Sequence, residues 1–206
     1  MLEFKAFSKS YNDQLVISIP DLRLSPGIYW IRGENGSGKS TLFKSLAGLL
    51  PYEGSIVLSG NIDLRQQPIE FRRRVNFSEA EPLFPGFLTS KDLIRFVGSA
   101  RGVDVADQND VASKLGIDAF IDKRCETYSS GMLKKLSLAL AFVGKPKVVI
   151  LDEPLITLDE DSRKILLSMI SDLNKDGDVV TLISSHHTLD MPGKKFRIAN
   201  KTLVDE

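Results

Sequence analysis

Short apolar runs bounded by turn residues alternate along this chain with stretches of helical period. Residues 2–7 and 15–19 read as strands, with Asn12 and Asp13 forming the turn between them. Ser25, Pro26 and Gly27 mark another turn before an apolar run at residues 28–31. Leu42, Phe43, Leu46, Ala47 and Leu50 then follow helical spacing, and Pro51 and Gly54 are expected to end that helix. Strands follow at 55–59 and 75–78. From residue 90 to about 143 the pattern is mostly helical, with candidate helices at 91–101, 106–115 and 130–143. The last of these places Leu133, Leu136, Leu140 and Val143 on one face. The run 148–151 is apolar throughout, as a strand covered on both faces should be. An amphipathic helix at 159–173, a buried strand at 179–183 and a terminal hairpin at 196–198 and 202–204 complete the pattern.

Strands alternating with helices on this scale predict an α/β fold with a mainly parallel sheet. The first two strands add an antiparallel β subdomain, and the helical stretch reads as an inserted α-helical subdomain. The division expected is one domain over 1–206, with a core of about 1–78 and 146–206 and a helical insertion of about 79–145. Composition changes little here. At 42% hydrophobic and 26% charged, the chain is ordinary globular material. Lys+Arg and Asp+Glu both number 27, so no global field calls for nucleic acid. The single cysteine, Cys125, permits no internal disulfide and reads as a small filler. No stretch is long and apolar enough to span a membrane, and the N-terminus lacks a signal-peptide layout. The basic run Arg72, Arg73 and Arg74 reads as a solvated face. Residues 81–87, with two prolines and a glycine, cannot be regular structure, and their two aromatics, Phe84 and Phe87, read either as local packing or as a partner-docking surface.

Candidate chemistry concentrates where the third strand meets its helix. Gly33, Glu34, Asn35, Gly36, Ser37, Gly38, Lys39, Ser40 and Thr41 match G-x-x-x-x-G-K-[ST], a loop whose backbone N–H groups wrap a phosphate chain. The helix that follows presents unpaired N–H groups and a positive dipole end. That dipole contributes only about 0.3–2 kcal/mol. Sub-millimolar binding needs roughly 4 kcal/mol or more. Lys39 supplies the missing charge to the β- and γ-phosphates, and Ser40 offers its hydroxyl to Mg²⁺. A second element is the apolar run 148–151 ending in Asp152 and Glu153. The C-terminal ends of parallel strands border the ligand crevice. Asp152 would hold Mg²⁺ opposite Ser40, and Glu153 would activate a water against the γ-phosphate. A third is Tyr128, Ser129, Ser130, Gly131 and Met132, which opens a helix and offers a hydroxyl and free N–H groups to a phosphate.

Taken in order, Lys39, the Ser129 helix start, Asp152–Glu153, Leu158–Asp159 and Ser185–His186 resemble the ATP-binding-cassette (ABC) ATPases. The resemblance runs from Tyr11 to the final hairpin. It implies that Tyr11 stacks on adenine and that two cassettes sandwich two ATP molecules head to tail. Ser129 and Gly131 would then contact the γ-phosphate bound to the other subunit, and Asp159 would sit at the seam. His186 would contact the γ-phosphate and help hold the attacking water. Two departures stand out. The signature, usually L-S-G-G-Q, reads Tyr128, Ser129, Ser130, Gly131, Met132. The loop after the strand at 75–78 usually carries a Gln, and aligning Glu81–Pro82 places Ala80 there; Glu79 or Glu81 could stand in after a shift of one residue.

The function implied is the ATP-hydrolysing motor of an ABC transporter, peripheral on the cytoplasmic face of a membrane. Its partners would be ATP, a second ATPase subunit, identical or different, and separate transmembrane permease subunits, with no nucleic acid. The segment 88–93, leading into the helix, leans toward export. Two alternatives stay open: a soluble ABC ATPase acting on nucleic acid or the ribosome, and a regulatory cassette of weak hydrolysis.

Overall fold

In a computed structural model, which describes residues 1–185 and 191–206, the strands form two sheets. The first is antiparallel, in the order β2–β1–β4–β5, from β1 (Leu2–Tyr11), β2 (Gln14–Leu24), β4 (Glu53–Leu58) and β5 (Ile62–Asp63). The second runs β10–β9–β3–β8–β7–β6, from β3 (Gly27–Arg32), β6 (Val75–Ser78), β7 (Val148–Leu151), β8 (Val180–Ser184), β9 (Lys194–Ala199) and β10 (Thr202–Asp205). All pairs in the second sheet are parallel except β9 with β10. Parallel partners need crossovers, and helices supply them. These are α1 (Lys39–Leu46), α2 (Pro68–Arg72), α3 (Ser90–Ala100), α4 (Val105–Lys114), α5 (Ser130–Phe142) and α6 (Glu160–Leu173). This is the α/β phosphate-loop architecture, with the antiparallel sheet beside it.

The apolar run of β7 has a direct explanation. Side chains alternate across a strand. Val148 and Ile150 enter one core, with Phe4, Phe7, Phe43 and Phe71. Val149 and Leu151 enter another, with Leu136, Leu138 and Ile170. Helix α1 owes its existence to the first core. Eight residues are far too few to be helical alone. Leu42, Phe43 and Leu46 are almost wholly buried, each stabilising by about 1.5–3 kcal/mol.

The strands are longer than the alternation predicts, because backbone groups pair regardless of side-chain polarity: β1 and β2 stay paired to Tyr11 and Gln14, across a register shift between Lys9 and Ser10. Helix α1 ends earlier than predicted. Gly48, at φ 73°, takes the left-handed turn after Leu46, ahead of Pro51 and Gly54. The buried face of α5 also differs from the expected one. It comprises Lys134, Leu136, Ser137, Leu138, Ala139, Ala141 and Phe142, while Leu133 and Leu140 are half-buried. Helix α2 escaped the periodicity because five residues carry no period. Residues 79–88 form neither helix nor strand, Arg72 and Arg73 are exposed, and Cys125 is buried.

One buried amide ties β6 to the end of α5. Asn76 Nδ2 donates to the carbonyls of Ala141, at 2.8 Å, and Val143, at 3.0 Å. Asn76→Ala leaves both acceptors without that donor. It should cost about 1–3 kcal/mol, read as a lower urea midpoint with an unchanged slope.

Candidate nucleotide site

The C-terminal ends of β3, β7 and β8 open on one edge of the sheet. The loop after β3 meets Asp152 and Glu153 after β7 in a cleft of about 230 Å³, lined by Asn35 to Thr41 and those two carboxylates. Two glycines shape the loop. Gly38 caps α1 at φ 106°, a conformation other residues avoid. A Cβ on Gly33 would lie 2.5 Å from Ser37 Oγ. The helices α3, α5 and α6 are capped by the side chains of Thr89, Ser129 and Asp159, but no side chain caps α1. Its first turn, residues 39–41, lines the cleft, where an anion would meet the uncapped helix N-terminus.

Lys39 Nζ is buried and donates to the carbonyls of Gly33, at 2.7 Å, and Glu34, at 3.1 Å. Burial pushes its pKa down, while the charges of Glu153 and Asp152 oppose the shift. Among the described residues that ammonium has no ion-pair partner in contact, which a phosphate would provide. Ser40 and Asp152 offer two hard oxygens to the same cleft. Mg²⁺ suits such a pair, since it keeps waters and takes phosphate oxygens for the rest of its shell. No cluster of three or more acidic, His or Cys ligands exists among the described residues.

Two residues that sequence reasoning missed hold the segment that carries the carboxylates. Ser184 Oγ donates to Asp152 Oδ1 at 2.6 Å and accepts the Glu153 N–H at 2.8 Å. Glu153 itself sits at φ 44°, a strained conformation of the kind found at functional sites. Lys134 Nζ donates to the backbone carbonyls of Asp152, Glu79 and Ala80. Burial pushes its pKa down to about 8, against the opposing charges of Asp152 and Glu153. A polar residue closing the apolar strand 180–184 and a lysine within an apolar helix face were the available signals.

The remaining candidates lie apart from the cleft. Tyr11 ends β1, 45% exposed, with Lys9 Nζ 4.5 Å above its ring. Ser129 is exposed and accepts from Met132 N at 3.3 Å. A Cβ on Gly131 would lie 3.0 Å from the Thr157 carbonyl, so glycine lets α5 approach that turn. Asp159 accepts from Ser162 N and pairs with Lys135 at 3.2 Å; these hydrogen bonds, led by the Ser162 amide, hold its carboxyl well below the usual range. His186 lies outside the described residues. At the Gln position, Ala80 has no polar side chain, and Glu79 is paired with Lys44 at 3.1 Å.

The family model for ABC transporters matches residues 20–156. The chain belongs to the ABC transporter family. It is an ATP-binding ATPase subunit of that family. It is 38% identical over 185 residues, 85% of its length, to TTE0246 of Caldanaerobacter subterraneus subsp. tengcongensis, provisionally named an ABC transporter ATP-binding protein, and spans 75% of that relative. It is 31% identical to the lantibiotic transport ATP-binding protein SrtF of Streptococcus pyogenes, covering 90% of this chain and 80% of SrtF. Its fold matches the ATP-binding cassette MJ0796, a dimer bound to ADP and Pi, with a TM-score of 0.83 at 17% identity, covering 98% of this chain and 96% of that one. No described helix of the cassette is long and apolar enough to cross a membrane.

Ser184→Ala removes the tie to the Asp152 carboxylate and the tie to the Glu153 backbone N–H. Each such hydrogen bond is worth about 1–3 kcal/mol, so turnover should fall about tenfold or more while ATP affinity, set by the loop, stays within a few-fold. Steady-state kinetics beside calorimetric ATP binding checks this.

Proposed function

We propose that this cassette is the ATP-driven motor of a transporter, working as a head-to-tail pair on separate membrane subunits. The observation that carries the reading is the convergence of Lys39, Ser40, Asp152 and Glu153 on one cleft. In it, the loop amides and Lys39 bind the phosphate chain, and Ser40 and Asp152 hold the metal. Mg²⁺, when bound, neutralises charge on the β- and γ-oxygens. Glu153 orients the attacking water and takes its proton; His186 is assigned to the γ-phosphate. Tyr11 stacks on adenine through the ring face away from Lys9. The exposed Ser129 and Asp159, with the half-buried Gly131, complete the site of the second subunit, so each cassette supplies parts of two sites.

Closing the pair on ATP and reopening after hydrolysis would move the helical insertion, about 79–145, relative to the core. A groove of about 330 Å³, lined by Leu49, Phe77, Leu83, Phe84 and Arg101 among others, lies beside the loop carrying Ala80. Leu83 in its wall, 90% exposed, and Phe87 of the same loop, 71% exposed, serve as apolar contacts for a membrane subunit. That placement supports a peripheral position on the membrane's cytoplasmic face. The name of SrtF and the sequence lean toward export agree only in pointing to transport.

A second reading, a cassette of weak hydrolysis, is favoured by one observation. Ala80 cannot hydrogen-bond through its side chain, and the Glu79 carboxylate is engaged by Lys44.

Glu153→Gln should trap an ATP-bound dimer, visible by size-exclusion chromatography with Mg²⁺ and ATP. Equal dimer lifetimes in mutant and parent would remove Glu153 as the base. Ala80→Gln should raise ATP turnover in the complex with the membrane subunits; an unchanged or lower rate would show that position 80 does not limit hydrolysis.

A further inference from the structure

Helix α5 buries a full positive charge that meets no carboxylate among its hydrogen-bond partners. Lys134 is 1% exposed, and its Nζ donates to Glu79 O at 2.7 Å, Asp152 O at 2.8 Å and Ala80 O at 3.3 Å. Burying an ammonium is costly unless its hydrogen bonds are satisfied. An apolar residue of the same length would fill the space without that cost. The three acceptors are therefore the informative feature, and they belong to two loops at the edge of the cleft.

The Asp152 carbonyl matters most. A peptide unit is planar, so fixing its oxygen and its N–H fixes the whole plane. In the unit joining Asp152 to Glu153, Lys134 holds the oxygen and Ser184 Oγ holds the N–H. That plane leads into Glu153 at φ 44° and sets the direction in which its side chain leaves the strand. One turn along α5, Ser137 Oγ shares a 2.9 Å hydrogen bond with Ser78 Oγ, and Ser78 O accepts the Asp152 N–H at 2.9 Å. The same face of α5 thus grips the ends of both β6 and β7.

We propose that Lys134 is a positioning residue for ATP hydrolysis. Through the Asp152 carbonyl it aims Glu153, and through Glu79 and Ala80 it ties the following loop to the same point. The inference rests on the reading of Glu153 as the base. It also supplies a connection that needs no side chain at position 80. Because Ser129 opens the helix that carries Lys134, a shift of that helix on contact with a second cassette reaches Glu153 within about one turn.

The test compares Lys134→Met and Lys134→Gln with the parent, using the purified full chain. Amide exchange of the nucleotide-free chain, binding of a fluorescent ATP analogue, and steady-state turnover are measured. With Met, exchange should rise at least tenfold at the amides of residues 79–81, 152 and 153 and stay unchanged in the β1–β2 pair. Turnover should fall at least tenfold, with nucleotide affinity within twofold. Gln, with two donors for three acceptors, should fall between Met and the parent. Parental exchange and turnover in the Met variant would overturn the proposal. So would exchange raised throughout the chain, or loss of affinity in step with turnover. Should the Met variant not fold, the Gln variant decides: parental values overturn the proposal, and a local intermediate effect supports it. The role of Glu153 fails separately, if Glu153→Gln hydrolyses ATP at the parental rate; the exchange measurements are independent of that result.

Discussion

The parallel pairing of β3 with β8 and of β8 with β7 is the constraint on which the site depends. Lys39 and Asp152 are far apart in sequence, and no local interaction joins them. Register does: Ile31 faces Ser184 and Ile183 faces Leu151, so three chain segments leave the sheet at one edge. Parallel strands must be covered on both faces. The two apolar cores that do this also fix the height at which each loop emerges. Packing against Phe43 and against Leu136 is therefore part of the geometry of the cleft.

What the sequence reveals and what it hides divide along physical lines. The phosphate loop was legible because its chemistry demands particular residue types at fixed spacing. Asp152 and Glu153 were legible because two charges ending an apolar strand have few structural explanations. Helices long enough for a period were legible too, to within a residue or two at their ends. Helix α2 was not, since five residues carry no period. The end of α1 was set by backbone conformation at Gly48, which competes in the sequence with a nearby Pro and Gly. Ser184 and Lys134 were hidden for a different reason. Their partners are backbone groups and a carboxylate brought near only by the sheet, and no one-dimensional pattern encodes such neighbours.

The charges around the cleft form a graded set. Lys39 is buried against two carbonyls, Lys134 against three, and Lys44 pairs with the Glu79 carboxylate. The first can exchange carbonyls for phosphate oxygens. The second has no such exit, because Asp152 and the 79–80 backbone enclose it. The third occupies one of the two acidic residues that flank the position where the family usually places Gln. The loop after β6 is thereby held by backbone and ion-pair contacts from two helices, α5 and α1.

Tyr128 gives the departure in the signature motif a different meaning. Its hydroxyl accepts from Ser90 N at 3.2 Å, shares a 2.7 Å hydrogen bond with Ser90 Oγ, and donates to the carbonyls of Lys123, at 2.9 Å, or Phe120, at 3.2 Å. A leucine there, as is usual in the family, has no group for those partners. At this position of the motif, Tyr128 joins the start of α3 to the segment before α5. Ser90 and Tyr128 are thus one hydrogen-bonded unit: replacing either side chain alone leaves the other's hydroxyl short of a partner, so the two positions are coupled in stability and their effects should not add.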